Sequence, residues 1–203
     1  PSDPTSGTVE FLDALGNVIG TLTYSGIDDG IACFTPGAMV ETNRGSRAIE
    51  TLTLGDKVLT RDRGFQPIRW IGNKTITGAE LAANAALQPI LFRQGALGPN
   101  LPTRDMLVSR QHCMLSKAPR AELYFGEREV FVRALHMAGQ PGILHALVQE
   151  VTYIHLMFDH HGVIMVDGVW RESFLPAARN IGGLDDAARA ELLARHEHVA
   201  RVL

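Results

Sequence analysis

The chain has 203 residues, with 19 Lys and Arg against 22 Asp and Glu and a formal net charge of −3. That length admits one substantial core with small extensions. The near-balance of charge, without a Lys/Arg-rich run, leaves no footprint for nucleic acid, and the apolar stretches fall far short of the roughly 20 residues of a membrane span. Neither nucleic acid nor membrane is therefore expected as a partner. The chain opens abruptly at Pro1 with no leader pattern and reads as a segment of something longer.

Taken from the start, TVEFLDALGNVIGTLTY (8–24) alternates on both sides of Gly16-Asn17 and predicts a hairpin. SGIDDGIA (25–32) is a loose Gly- and Asp-rich connector that runs straight into Cys33. AMVETNRGSRAIE turns at Asn43-Arg44-Gly45-Ser46, and KVLTRDRGFQPIRWIG turns again at Asp62-Arg63-Gly64. In residues 77–102 the Ala-rich start suits either a loop or a short helical turn, and PILFR suits a strand. DMLVSRQHCMLS (105–116) reads as strand, Ser-x-x-His, strand. EVFVRALHM, VTYIHLMF and GVIMVDGVWRES continue the β pattern, the last with Asp167-Gly168 as a tight turn. Beyond NIGG (180–183), Leu184, Ala188, Leu192, Val199 and Leu203 fall near one helical face, and Asp185 and Asp186 suit a helix N-terminus. No repeat with a period of 20–50 residues is evident. Many short strands with closely spaced turns predict an all-β fold with an N-terminal hairpin extension and a C-terminal amphipathic helix.

Chemistry can come from few residues. The two cysteines, Cys33 and Cys113, suit one disulfide, or two small buried hydrophobes. There is no Cys-x-x-Cys and no Cys/His zinc spacing. A zinc site built from Cys33, His112 and one later histidine lacks any ligand pair at a usual spacing, so neither a metal nor a cofactor is expected. Cys33 offers a nucleophile, Ser109 and His112 stand at Ser-x-x-His spacing, and His155, His160 and His161 follow in YIHLMFDHHG. A thiol that attacks an amide needs activation, donors for the oxyanion and an acid for the leaving nitrogen. His160 and His161 are adjacent, so in a strand they face opposite ways and at most one serves a site. Cys113 directly follows His112 and so faces away from it, as a core residue would. Trp70 and Trp170 read most simply as core or hairpin aromatics.

These residues resemble a known family. CFTPGAMVETNRGSRAIETLTLGDKVL is similar to the opening block of Hint (Hedgehog/intein) domains: a leading Cys, a small-residue turn, a polar hairpin with Gly, then Leu-x-x-Gly-Asp-x-Val. LVSRQHCML resembles the second block, with Ser109 in place of the usual Thr, and VTYIHLMFDHHGVIMVDGVWRES resembles the terminal block. GFQPIRWIG and ALGPNLPTRDMLVSRQH are similar to the bacterial intein-like members carried by large bacterial proteins. The resemblance spans residues 32 to 176 and divides the chain into an upstream flank (1–32), a Hint autoprocessing domain (33–176) and a helical extension (177–203).

The resemblance implies single-turnover self-processing. Cys33 attacks the Ala32 carbonyl in an N–S acyl shift and forms a thioester. His112 protonates or strains the Cys33 amide nitrogen, and Ser109 hydrogen-bonds near the scissile carbonyl. His155 occupies a position near which the family keeps an Asp or other polar residue. It is thus a candidate base or second-site ligand, with a core histidine bonded to a backbone carbonyl as the plain alternative. The implied partners are the chain's own upstream polypeptide and water, a thiol or another small nucleophile. The sequence assigns no compartment, although large bacterial parents suit a secreted or cell-surface setting. Two departures narrow the activity. Glu172 and Ser173 stand where splicing needs His and Asn, and no Asp lies between Arg63 and Arg104 to activate an alcohol. Two other classes stay open: a Cys-His hydrolase acting on an external substrate, and an inert β scaffold or binding module.

Overall fold

The computed structural model describes residues 7–12, 18–24, 33–117 and 129–174. The helix expected at the C-terminus, the turn expected at Gly16-Asn17 and the connector up to Ala32 lie outside them. The strands are β1 (Gly7–Leu12), β2 (Val18–Tyr24), β3 (Met39–Thr42), β4 (Gly45–Ala48), β5 (Lys57–Thr60), β6 (Gly64–Pro67), β7 (Trp70–Ile76), β8 (Ile90–Phe92), β9 (Met106–Val108), β10 (Cys113–Lys117), β11 (Glu129–Arg133), β12 (Ile143–His145), β13 (Val151–Met157), β14 (Val163–Val166) and β15 (Val169–Glu172). Two short helices interrupt them, α1 (Gly78–Ala83) and α2 (Ala134–Met137). The architecture is all-β, as the spacing of turn residues implies.

All pairings between these strands are antiparallel. β1 and β2 form their own hairpin. The main sheet runs β11-β10-β15-β14-β3-β5-β6 with β4 on β3; β12-β8-β9 and β13-β7 make two smaller sheets. The predicted turns sit where the Gly and Asp residues demand them. Thr42 Oγ1 donates to the Gly45 carbonyl at 2.6 Å, and Thr60 Oγ1 donates to that of Gly64 at 2.7 Å, so a buried threonine ties each hairpin across its turn. Asp167 and Gly168 both take positive φ, 50° and 78°, as a two-residue hairpin turn requires. The Ala-rich segment resolves into α1, closed by a capping box in which the Thr77 N–H donates to Glu80 Oε2 at 2.8 Å and Thr77 Oγ1 accepts from the Glu80 N–H at 3.4 Å.

One strand departs from expectation. EVFVRALHM is β only to Arg133, then becomes the single turn α2. The Ala134 N–H donates to the His112 carbonyl and that of Leu135 to the Arg110 carbonyl, so the chain leaves its ladder to close on the 109–112 turn.

β13 is buried on both faces. Tyr153 and Met157 pack with Cys33, Trp70 and Phe174, whereas Ile154, Leu156 and Phe158 pack with Phe34, Val40 and Ile68. This is the period-2 alternation of a strand between two apolar layers. A third layer holds Ile90, Phe92, Val108 and Met114.

Within the core lies a charge pair. Arg171 and Asp167 are both fully buried and meet at 2.8 Å; Arg171 Nη2 also donates to the Val166 carbonyl at 3.2 Å. Asp167 Oδ1 accepts the Met39 N–H at 2.9 Å, which joins the β14–β15 hairpin to β3. Two Arg171 nitrogens, Nε and Nη1, have no hydrogen-bond partner. Such a pair is costly to break from one side and cheap to replace whole. Asp167→Asn, which keeps a residue tolerant of positive φ, should cost about 3 kcal/mol or more in urea unfolding. Asp167→Asn with Arg171→Met should recover most of that loss, and a double variant as unstable as the single would show that charge is not the cause.

Candidate functional site

The Cys33 backbone is held on both sides. Its N–H donates to Ser109 Oγ at 3.1 Å, and its carbonyl accepts from the Ser109 N–H at 3.3 Å and from His112 Nδ1–H at 3.0 Å. The next residue, Phe34, bridges Val108 at the end of β9 and Ile154 in β13. It exchanges both backbone hydrogen bonds with Ile154, at 2.9 and 2.8 Å. In an antiparallel ladder the residues flanking such a pair face each other closely and on the opposite side of the sheet. Cys33 therefore stands opposite His155. Cys33 Sγ lies 3.7 Å from His155 Nε2, with both side chains buried.

The four expected site residues thus converge, although two of them stand elsewhere than the resemblance implies. The Ser109 hydroxyl sits at the Cys33 amide nitrogen. His112 grips the Cys33 carbonyl, one peptide downstream of the Ala32–Cys33 bond. Because a carbonyl can only accept, His112 carries its proton on Nδ1. Ala32 lies outside the described residues. The Ser109-x-x-His112 spacing works because residues 109–112 form a tight turn closed by His112 N–H to the Ser109 carbonyl, at 3.1 Å.

Burial governs the electrostatics. It pushes the Cys33 thiol far above its ordinary range, against a small opposing effect of the Ser109 hydrogen bond. It holds His112 well below an ordinary histidine, helped by the nearby Arg171 cation and opposed by the bond to Cys33. Burial also draws Arg171 down to about 10, still well above neutrality, so the guanidinium keeps its charge. The site at rest pairs a neutral thiol at Cys33 with a neutral imidazole at His112.

The remaining candidates fall elsewhere. Both cysteines are free thiols. Cys113 is half-buried, with its thiol on the Gln111 carbonyl at 3.6 Å and pushed up to about 12 by burial and the Glu172 carboxylate. His160 and His161 occupy an exposed turn, and His161 Nε2 is 3.9 Å from Glu172 Oε2. Trp170 lies over Arg61, 5.9 Å from ring centroid to guanidinium. Among the described residues no three His, Cys, Asp or Glu side chains gather as a metal site, and no helix is long and apolar enough to cross a membrane.

A family model described as the Hint domain matches residues 32–178. The chain belongs to the Hint domain family. Its all-β fold is of the Hint type, and membership supports self-processing as the general class of activity. Solved structures similar to this Hint domain include the bacterial intein-like domain from Clostridium thermocellum, 15% identical over 70% of this chain and 97% of that one, with a TM-score of 0.45. The gp41-1 intein is 9% identical over 69% of this chain and 97% of its own, with a TM-score of 0.40. A splice-inactive variant of the AceL NrdHF class 3 split intein is 14% identical over 70% and 96%, with a TM-score of 0.42. No curated protein is similar enough to count as a match.

The two buried groups give stability a pH window. In the unfolded chain a histidine takes up a proton near 6.5, which folded His112 resists; stability is complete above that pH and falls as pH drops through it. For Cys33 the sign reverses. Its thiol stays protonated in the fold, so stability is complete below the unfolded value of 9.0 and falls as pH rises past it. Each limb should approach about 1.4 kcal/mol per pH unit. Urea midpoints between pH 5 and 10 should lose the acid limb in His112→Gln and part of the alkaline limb in Cys33→Ala. Unchanged limbs would mean that these groups titrate alike in both states.

Proposed function

We propose that this Hint domain cleaves its own chain at Ala32–Cys33 by an N–S acyl shift, without splicing. The observation that carries the reading is the pairing of Cys33 Sγ with His155 Nε2 at 3.7 Å, while Ser109 Oγ lies 3.1 Å from the amide nitrogen of the same cysteine. His155 takes the thiol proton as Sγ bonds to the Ala32 carbonyl carbon. The C–N bond then breaks, and the proton returns to the Cys33 nitrogen, with Ser109 Oγ placed to relay it. Amide and thiol become thioester and amine. Water or an added thiol then releases the Ala32 acyl group and restores the Cys33 thiol.

Several features support each part. A thiol held so firmly protonated is a poor spontaneous nucleophile, so a base in contact is required. In a trans peptide the carbonyl oxygen points away from the N–H, so a hydroxyl on the N–H side serves the leaving nitrogen rather than the oxyanion. His112, neutral and engaged through Nδ1, fixes the Cys33 carbonyl instead of acting as an acid. The burial of Cys33, only 5% exposed, argues against a hydrolase for external substrates.

The absence of splicing rests on Glu172 and Ser173. Glu172 Oε1 accepts the Cys113 N–H at 3.0 Å and Ser173 Oγ accepts the Gly162 N–H at 3.0 Å, so both serve the fold. A serine cannot form the succinimide that splicing needs.

Incubation of the whole chain with a thiol, followed by intact-mass measurement, tests the reading. The expected products are residues 1–32 and 33–203, with no fragment ending near Ser173 or at Asn180. Cys33→Ala should give no cleavage. An external hydrolase would stay intact yet be labelled at Cys33, and a scaffold would do neither.

The same assay separates the roles. Ser109→Ala should lose activity, whereas Ser109→Thr keeps or improves it, because Thr holds the same hydroxyl on a stiffer χ1. His112→Ala should slow cleavage about 100-fold, the effect of misplacing a reacting group by about 1 Å. His155→Gln should leave a slow reaction whose rate climbs with pH, since the thiol must then ionise unaided. Wild-type rates in His155→Gln would remove it from the mechanism.

A further inference from the structure

The ladder that sets Cys33 opposite His155 continues on the far side of β13. There His155 pairs with Gly72 of β7. Three residues thus form one row across the strands: a thiol, an imidazole and a position with no side chain. The vacancy is filled by a neighbour on the same face. Trp70 folds its indole back over Gly72, so closely that a Cβ at residue 72 would overlap the indole Cη2 and Cζ2. Only glycine lets the indole lie there.

Its consequence falls on His155. The Trp70 and His155 rings are stacked, with centroids 6.3 Å apart and planes 15° from parallel. Phe174, whose N–H donates to the Leu156 carbonyl at 2.9 Å, closes the remaining side, 5.4 Å from His155 and 5.5 Å from Trp70. Trp70 and Phe174 are each only 1% exposed. An imidazole on a strand has a broad χ2 and swings readily. Here the indole bars one direction and Phe174 another, which leaves Nε2 directed at the thiol. The other titratable groups around the ring are Cys33 across the ladder, Tyr153 on the same face of β13 and His112, which is coupled to it electrostatically.

We propose that Trp70, seated on Gly72, is a positioning residue that holds His155 Nε2 against the Cys33 thiol. The proposal rests on the self-cleavage reading for its catalytic consequence, but the contact itself is open to a separate measurement. The chain has two tryptophans. In a Trp170→Phe background Trp70 is the sole indole, and its emission reports the rings packed on it. Emission at neutral pH should change when His155→Leu is added, with far-UV circular dichroism unchanged. Trp70 emission that is unaltered by His155→Leu would overturn the contact.

The cleavage assay then reads the consequence. Trp70→Leu and Gly72→Ala should each slow thiol-induced cleavage at least tenfold and bring in the rising pH dependence of His155→Gln, with far-UV circular dichroism unchanged. The double variant should be no slower than Trp70→Leu alone, because the added methyl then meets no indole. Wild-type pH dependence in Trp70→Leu, or two effects that multiply, would overturn the positioning role. If Trp70 emission responds to His155→Leu but the protein with both rings in place never cleaves, the contact stands and the self-cleavage reading falls.

Discussion

The site depends on one exchange of backbone hydrogen bonds, between Phe34 and Ile154. That pair fixes the register of a short extended segment against β13, and register decides which side chains share a face. With Phe34 and Ile154 turned into one apolar layer, Cys33 and His155 must both turn into the other. A slip of one residue would bury Cys33 with Val40 and Ile68 and leave His155 with no thiol to face. The bridge from Phe34 to Val108 performs the second half of the task, because it brings the 109–112 turn up to the Cys33 backbone. The precision of the site is that of a β-ladder, and none of its distances depends on a long flexible side chain.

The buried Arg171–Asp167 pair supplies what the ladder cannot. Arg171 lies 5.7 Å from the Phe34 ring, beneath the residue that sets the register, and Asp167 ties the same hairpin to β3. Its charge is also felt at His112, which it helps to keep neutral. A neutral His112 with Nδ1–H toward the Cys33 carbonyl is an anchor, and a cationic one would place a second positive charge in a layer that already holds Arg171. Structural and electrostatic support thus come from one ion pair in the terminal hairpin.

Much of the fold was legible in the sequence because turn chemistry is local. Asp167-Gly168, Arg63-Gly64 and Arg44-Gly45 punctuate alternating runs, and positive-φ positions announce themselves through Gly and Asp. The α1 segment is ambiguous by composition alone, and Thr77-x-x-Glu80, a capping box, is the local signal for its helical start. The switch to helix at Ala134 was not legible, since it follows from hydrogen bonds to the distant 110–112 turn. The site was legible in part. Cys33, Ser109, His112 and His155 are expected together and do lie together, but the resemblance puts Ser109 near the Ala32 carbonyl and His112 at the amide nitrogen, whereas the fold sets Ser109 on the nitrogen and His112 on the next carbonyl. Trp70 read as an ordinary core aromatic because its role comes from Gly72, a residue whose importance lies in what it lacks. Arg171 gave no signal at all: a lone arginine in a strand usually faces water.

In the proposed self-cleavage, the arrangement also lets a thiol sit beside a base without reacting early. Burial keeps Cys33 protonated, and a protonated thiol does not attack an amide. His155 is close, yet 3.7 Å between sulfur and nitrogen is a loose contact, not a proton already shared. Desolvation raises the barrier to forming a free thiolate, while the same low-dielectric surroundings strengthen every hydrogen bond aimed at the reacting atoms once charge develops. In the proposed shift, attack and proton transfer proceed together, and that requires the imidazole to be aimed rather than merely near. Aim is what a row of Cys33, His155 and an indole-filled glycine provides. In the proposed reaction, the buried and tightly packed character of the site holds the chemistry back until thiol, base and carbonyl are in line.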